Sequence, residues 1–234
     1  MQPQPSMPSY REPRSFAEFY RSSAYSRFPQ EHRSHAWSGF KAFIVDQKPH
    51  DFTDIASSDW VLGLPLRAAC PTRFDYGDGW KQRQRGRGDF LLVPPGTEVR
   101  YEIAGPTRLL VLTWAGGTLT DLDDELFADE EAALRPLIGR YFKNNVVEQV
   151  CRTLWIEMAR NDAASRLFLD SALSQLGGSL LRCAARQTEK TTYRRIEVRR
   201  VPASLHGNLD RALSLTQLSA VPGLSGFHFV RALP

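Results

Sequence analysis

The chain has 234 residues, which is enough for one large domain or for a medium domain joined to a small one. Hydrophobic residues make up 42% of it and charged residues 24%, a composition that supports a packed core and excludes global disorder. The net charge is +4, and the excess of basic residues lies in the segment 189–234. This excess fits either a polyanion partner or a solvated, arginine-rich helix face.

Membrane and secretion signals are missing from the sequence. No apolar run is long enough to cross a bilayer, and the first residues lack the apolar centre of a signal peptide. We therefore expect a cytoplasmic protein with no membrane partner. The three cysteines (Cys70, Cys151 and Cys183) are widely separated and form no CxxC pair, so neither a zinc site nor a redox motif is expected.

The first 36 residues are rich in proline, serine, glutamine and arginine. This composition predicts a mostly disordered N-terminal arm, residues 1–36, with a short helix near Phe16–Tyr20.

A β-rich pattern follows, over residues 37–118. Short runs of β-branched, leucine and aromatic residues alternate with turn sequences rich in glycine, proline and aspartate. The runs are GFKAFIV, DWVLGLPL, DFLLV, EVRYEI and TRLLVLTW. Several short strands at this spacing predict an antiparallel sandwich or barrel.

The hydrophobic period becomes helical over residues 119–186, which we predict to be a helical, dimerising region. One stripe has leucines at spacings of four, three and four: Leu169, Leu173, Leu176 and Leu180. So narrow a stripe is typical of a helix pair or dimer seam, but ordinary packing on the barrel gives the same pattern. The polar residues 187–192 are predicted to be a linker.

A glycine-aspartate turn, a hydrophobic strand and a Pro-Pro-Gly turn form one compact element, GDFLLVPPG. It resembles the second sequence motif of the cupin family, G-x5-P-x-G-x2-H-x3-N. Gly88, Pro94 and Gly96 match that motif, whereas Val99 stands at its histidine position and Ile103 at its asparagine position.

The absence of the motif's histidine and asparagine at these two positions argues against a metal enzyme. Metal-dependent cupins bind their ion with several histidines and a carboxylate, and this chain has no histidine between His50 and His206. We therefore expect no metal, no cofactor and no catalytic residues. A barrel without metal either encloses a small ligand or is filled by its own side chains. The candidate ligand-binding residues are four aromatic residues of the predicted strands and turns: Trp60, Trp80, Tyr101 and Trp114.

The C-terminal segment, residues 193–234, has the pattern of two short helices. Ser214 can cap the first helix, Gly223 can supply the turn, and Ser225 can cap a second helix with Phe229 on its buried face. Two short helices joined in this way form a helix-turn-helix, whose second helix enters the DNA major groove.

This stretch resembles the first helix-turn-helix of the AraC/XylS family of transcription regulators. The family pattern is roughly L-x-x-P-x-S-L-x-x-L-A-x-x-A-G-x-S-x-x-x-F-x-R-x-F. The matching positions are Leu209, Leu213 or Leu215, Leu218, Gly223, Ser225, Phe229 and Arg231. The family's order is a cupin-like sensing domain, dimerisation helices, a linker and then the DNA-binding module. The order predicted here is the same.

The resemblance implies a fold class, partners and DNA-binding residues. The fold class is α+β: an antiparallel cupin-like β-barrel followed by helices and then a partial all-α helix-turn-helix segment. The implied partners are double-stranded DNA, a small-molecule effector and a second copy of the chain in a homodimer. The DNA-binding residues carried over are Ser225, Gly226, Phe227, His228, Val230 and Arg231. Arg231 is the best candidate for a base or phosphate contact, because guanidinium can bind either in bidentate fashion.

The family's DNA-binding module has two helix-turn-helix units, whereas this sequence stops at Pro234, at the end of the first. We therefore expect a truncated module with weakened DNA binding, because much of such affinity comes from summed phosphate contacts. The leading hypothesis is a ligand-responsive, DNA-binding transcription regulator of the AraC type. The alternatives are a non-DNA-binding sensor or dimerising fragment and, last, a cupin-type enzyme.

Overall fold

The computed structural model describes residues 15–35, 39–67, 70–84, 86–121, 123–160 and 162–206, with side chains as far as residue 189 except residue 163. The chain divides into two units, Met1–Ala184 and Ala185–Pro234. All the strands among the described residues lie in the first unit. Among the helices described here, none combines the length and the apolar character needed to span a membrane.

The first unit is of the α+β class, as the sequence predicted, with an antiparallel β domain followed by helices. In chain order the elements are α1 (Phe16–Ser22), a 3₁₀ turn (Ala24–Arg27), β1 (Gln30–Ser34), β2 (Phe40–Gln47), β3 (His50–Asp54), β4 (Asp59–Pro65), β5 (Pro71–Asp75), β6 (Lys81–Gln84), β7 (Asp89–Val93), β8 (Val99–Ile103), β9 (Thr107–Ala115), α2 (Glu130–Leu134), a second 3₁₀ turn (Arg135–Leu137), β10 (Tyr141–Lys143), α3 (Asn145–Glu157) and α4 (Ala163–His206).

The strands form two antiparallel sheets. The larger has six strands in the order β1-β2-β9-β4-β7-β10, and the smaller has four in the order β3-β8-β5-β6. The five hydrophobic runs in the sequence correspond to β2, β4, β7, β8 and β9. These five predicted strands are confirmed.

The six-stranded sheet is buried on both faces, and this explains its almost unbroken hydrophobic runs. On β4, Val61 lies in the core between the two sheets, whereas Trp60, Leu62 and Leu64 lie in the core shared with the helices. Strand β9 alternates in the same way. A strand with apolar residues at every position therefore serves two separate cores.

The four-stranded sheet has one buried face and one solvated face, and its sequence alternates accordingly. On β5, Thr72 and Phe74 are buried, whereas Arg73 is exposed and pairs with Glu102 of β8 at 2.7 Å. Alternation with so many polar residues gives no continuous hydrophobic run, so β3, β5 and β6 were not predicted.

Two positions of the cupin-like element have a backbone conformation that favours glycine. Gly88 precedes β7 with φ of +78°, and Gly96 follows that strand with φ of +72°, a region that residues with a Cβ rarely adopt. A Cβ at Gly88 would also come within 2.5 Å of the Glu148 carboxylate on α3. The turns predicted at both ends of this strand are confirmed.

The helices following the strands cover the outer face of the six-stranded sheet. The four leucines of the predicted stripe on α4 are all buried in that core, together with Val147, Cys151 and Leu154 of α3. Gly177 lets α4 approach the ring of Phe127, because a Cβ there would lie 3.1 Å from the ring edge. Of the two explanations for the stripe, the structure therefore supports packing on the barrel and not a dimer seam.

Three predicted segment boundaries are corrected. Residues 15–35 of the supposed disordered arm form α1, the 3₁₀ turn and β1, because their aromatic side chains pack on the barrel. The β domain extends beyond 37–118, from Gln30 to Lys143, since β10 pairs with β7. Helix α4 includes 187–192, where a linker was predicted.

Candidate functional site

A cavity of about 40 Å³ lies between the two sheets and the N-terminal segment. By volume it has room for roughly two or three water molecules. Apart from Gln47 at the end of β2, the residues contributed by the six-stranded sheet are apolar: Val61, Gly63, Leu91, Val93, Leu109 and Val111. The remaining lining residues are mainly aromatic or polar: Phe16, Tyr20, Tyr25, Gln47, His50, Asp54, Tyr101 and Ile103.

Local hydrogen bonds hold the N-terminal segment over this cavity. The Ser15 side chain caps α1, and the backbone N–H of Phe16 donates to Oδ2 of the buried Asp59 at 2.8 Å. The amide Nε2 of Gln30 donates to the carbonyl oxygens of both Tyr20, at 3.0 Å, and Tyr25, at 2.6 Å. Although the N-terminal segment is rich in polar residues, its buried aromatic side chains and these hydrogen bonds fix it as a cover over the cavity.

The rings of Tyr20 and Tyr25 stack within this cover. Their centroids lie 4.0 Å apart with the planes 13° from parallel. The edge of Tyr25 also meets the rings of His50 and Phe52, with centroids at 5.5 Å and 5.0 Å. Both tyrosines line the cavity, so its covering wall is built largely from aromatic rings.

Asp54 is the one carboxylic acid that lines the cavity. It ends β3, is only 7% exposed, and its Oδ1 has no hydrogen-bond partner. Burial raises the pKa of this carboxyl from 3.8 to about 7, although a hydrogen bond from Tyr25 acts in the opposite direction. An uncompensated carboxyl in an aromatic cavity is costly to ionise, which identifies Asp54 as a candidate functional residue.

The phenols near Asp54 remain protonated at neutral pH. Burial, together with neighbouring phenols and the Asp54 charge, raises the pKa of Tyr25 and of Tyr101 well above 10.0. Burial has the same effect on Tyr76, whose hydroxyl donates to the Leu92 carbonyl at 3.3 Å. These groups therefore act as neutral hydrogen-bond donors and acceptors.

Two more polar side chains line the cavity near the turn between β2 and β3. The amide Nε2 of Gln47 donates to the hydroxyl of Tyr20 at 3.2 Å, while its Oε1 has no hydrogen-bond partner. The Nδ1 atom of His50 lies 2.7 Å from the Lys48 carbonyl oxygen. Two residues of the lining, Asp54 and Gln47, thus each have a buried oxygen without a hydrogen-bond partner.

Gly63 contributes to the empty space. It lies in the interior of β4 on the cavity face, and a Cβ built there has no atom within 4 Å. A glycine within a buried hydrophobic strand weakens that strand and often marks a place where a ligand approaches closely. This residue was available as a signal in the run DWVLGLPL and was missed.

The structure brings only one of the four predicted ligand-binding residues, Tyr101, to the cavity. Trp60 and Trp114 lie on the opposite face of the six-stranded sheet, with ring centroids 6.2 Å apart, and Trp114 donates to Glu130. Trp80 is 41% exposed and lies beneath the Arg73 guanidinium. These three assignments are corrected: alternation along a strand buried on both faces does not reveal which face meets the cavity.

The sequence analysis also missed Asp54, His50 and the two tyrosines of the cover. The period-two pattern of HDFTD, with His50, Phe52 and Asp54 on one face, was the available signal. The predicted DNA-binding residues, 225–228, 230 and 231, lie outside the described residues.

No metal centre occurs in the part of the chain that the structure describes, where no three histidine, cysteine, aspartate or glutamate side chains cluster suitably. The two positions that correspond to ligand or motif residues in cupins, Val99 and Ile103, are buried apolar side chains of β8. Hydrocarbon side chains at these positions offer a metal ion no donor atom.

Comparisons with known proteins agree with this fold. Residues 72–177 match the family model of the AraC-like ligand binding domain. The crystal structure of the AraC-like transcriptional activator CuxR is similar, with a TM-score of 0.50 and 13% identity, over 90% of this chain and 76% of that chain. No curated protein matches. Residues 72–177 are therefore similar to AraC-like ligand binding domains, and the fold is cupin-like with helices following the strands.

Two other solved structures show lower similarity. The Clostridium difficile EutQ protein has a TM-score of 0.32 and 10% identity, over 38% of this chain and 68% of that one. The Cnp3 cupin domain of Schizosaccharomyces pombe has a TM-score of 0.31 and 11% identity, over 40% of this chain and 63% of that one.

Proposed function

We propose that this chain is a ligand-responsive, DNA-binding transcription regulator, in which the cavity of the AraC-type domain binds a small-molecule effector. The observation that supports it most is the covered cavity, whose buried Asp54 carboxyl has an oxygen without a hydrogen-bond partner. Buried polar groups are normally satisfied, so an exception in a cavity is typical of a site that a ligand completes.

Effector binding can influence the helices through the six-stranded sheet. On β4, the inward residues Val61 and Gly63 line the cavity, while their neighbours Trp60 and Leu62 pack in the core shared with α3 and α4. A ligand that fits one arrangement of this strand better than another also favours one arrangement of the helix packing. Such a preference between two states is what an allosteric response requires.

DNA binding is proposed for Ser225, Gly226, Phe227, His228, Val230 and Arg231. Their support is the match of residues 209–231 to the AraC/XylS pattern, together with the AraC-like domain that precedes them in the chain. We also propose that the protein is not an enzyme and uses no metal cofactor, since Val99 and Ile103 replace the polar residues of the cupin motif.

A second candidate is a sensor that responds by dimerisation without binding DNA. Leu167 and Phe168, near the start of α4, are 74% and 55% exposed, and Ile156 of α3 is 52% exposed. Exposed large apolar side chains mark candidate protein contacts. A homodimer that uses these residues is compatible with either candidate.

An electrophoretic shift assay separates the two candidates. The purified chain is titrated against DNA from upstream of its own gene, at physiological salt and with shuffled competitor. We expect a specific shift that is lost in Arg231→Ala and retained in Arg182→Ala, which removes the same charge from an exposed position on α4. If folded, dimeric protein gives no specific shift, the regulator proposal fails and the sensor remains.

A further inference from the structure

We propose that the ligand of the cavity is a small organic ammonium ion, bound by the carboxylate of Asp54 and surrounded by the aromatic rings of the N-terminal cover. This inference rests on the proposed function, because it names the class of effector that the same cavity accepts. It follows from the charge, the ring content and the unsatisfied oxygens of the lining.

The charge of the lining favours a cation. Asp54 is the only acidic residue among the fourteen that line the cavity, and none of the fourteen is lysine or arginine. Within the described part of the chain, Asp54 forms no salt bridge. A ligand with a carboxylate or phosphate would bring a second negative charge beside it, whereas an ammonium ion supplies the missing counter-charge.

The aromatic lining favours the same ligand class. Phe16, Tyr20, Tyr25 and Tyr101 contribute rings, and the faces of aromatic rings attract organic cations. The neighbouring ring of Phe52 already has a cation over it, since the Arg27 guanidinium lies 4.6 Å from its centroid. Aromatic rings around a binding site are a recurrent arrangement for recognising organic ammonium ions.

Hydrogen bonding further specifies the ligand. The unpartnered atoms, Oδ1 of Asp54 and Oε1 of Gln47, are both acceptors, so the complementary ligand must donate. A protonated primary amine carries three N–H donors, whereas an alcohol of similar size carries one. The cavity volume of about 40 Å³ favours a small ligand.

Proton linkage provides an independent signature. Without a bound cation, the raised pKa of Asp54, about 7, lets the carboxyl hold a proton near neutrality. A bound ammonium ion favours the ionised carboxylate, so binding releases that proton and weakens as the pH falls. The phenols of Tyr25, Tyr76 and Tyr101 face Asp54 and stay neutral because their pKa values are raised.

The test compares three probes of one size on the full chain: n-propylammonium, 1-propanol and propionate. Ligand-observed NMR titrations give the dissociation constants. We expect propylammonium to bind at least about tenfold more tightly than either of the others. Asp54→Asn should remove that preference. The matched control, Asp51→Asn, changes an exposed carboxylate on the same strand and should leave it intact.

The pH profile keeps the test decisive if Asp54→Asn does not fold. For the unmodified chain, propylammonium affinity should fall about tenfold from pH 8 to pH 6, and propanol affinity should not change. His50 also lines the cavity, so the profile is repeated with His50→Gln to remove any contribution from its titration.

Three results would overturn the ammonium ligand: no binding by propylammonium, tighter binding by propanol or propionate, or an unchanged preference in Asp54→Asn. These failures are distinct from failure of the proposed function. If a neutral or anionic probe binds and Gly63→Val abolishes its binding, the cavity remains an effector site of another ligand class. The regulator itself is tested separately by the promoter shift.

Discussion

Replacing Asp54 with asparagine should stabilise the folded protein, and the gain should grow with pH. The carboxyl has a pKa of 3.8 when unfolded and about 7 when folded. The folded state therefore holds this proton more tightly than the unfolded state does. Stability attributable to the group is present below the unfolded pKa and is lost as the pH rises through the folded one.

The magnitude follows from the difference of about three pH units. At about 1.36 kcal/mol per unit, ionised Asp54 costs the folded state up to ~4 kcal/mol above its folded pKa. At pH 5 most of that cost is absent, so the difference between the two variants should increase by about 2–3 kcal/mol from pH 5 to pH 8. Comparing the stability difference at the two pH values cancels any effect of the new amide group that does not depend on pH.

Urea unfolding of the unmodified chain, Asp54→Asn and Asp51→Asn, at pH 5 and pH 8, measures this increase. The exposed control should show almost none, because surface substitutions away from special features change stability by at most about 0.5 kcal/mol. A difference for Asp54→Asn that is equal at both pH values, or smaller at pH 8, would contradict the assignment of Asp54 as a buried, uncompensated carboxyl.

Three further substitutions test the cavity and the packing around it. Gly63→Val should raise the free energy of unfolding by about 1 kcal/mol, and with it the melting temperature, because valine favours a strand and fills open space. The same substitution should abolish probe binding. Unaltered binding would mean that the ligand binds elsewhere. Leu176→Ala should lower the free energy of unfolding, measured in urea, by about 2–5 kcal/mol, because this side chain packs in the core of its own chain. Its sedimentation should be unchanged. A changed oligomeric state would support the hypothesis that the leucine stripe is a dimer seam. Asn144→Ala should cost about 1 kcal/mol, since its Oδ1 accepts from the backbone N–H groups of Val146 and Val147 at the start of α3, and a loss below about 0.3 kcal/mol would show that this cap is unimportant.

The elements that sequence analysis predicted are those whose signal is local. The strands β2, β4, β7, β8 and β9 are short hydrophobic runs between glycine and proline turns, and both features act within a few residues. The turns at Gly88 and Gly96 likewise follow from glycine's freedom at positive φ. The absence of polar side chains at positions 99 and 103 was also evident in the sequence alone.

The tertiary structure decided which residues meet. Because the six-stranded sheet is buried on both faces, period-two alternation in β4 gives equal weight to Trp60 and Val61, and only the positions of the second sheet and the helices distinguish them. Strand β10 and the N-terminal cover over the cavity were not predicted for a similar reason, since both are ordered by packing against residues far away in the chain. The raised pKa of Asp54 was equally hidden, because it comes from burial by segments that the local sequence does not contain.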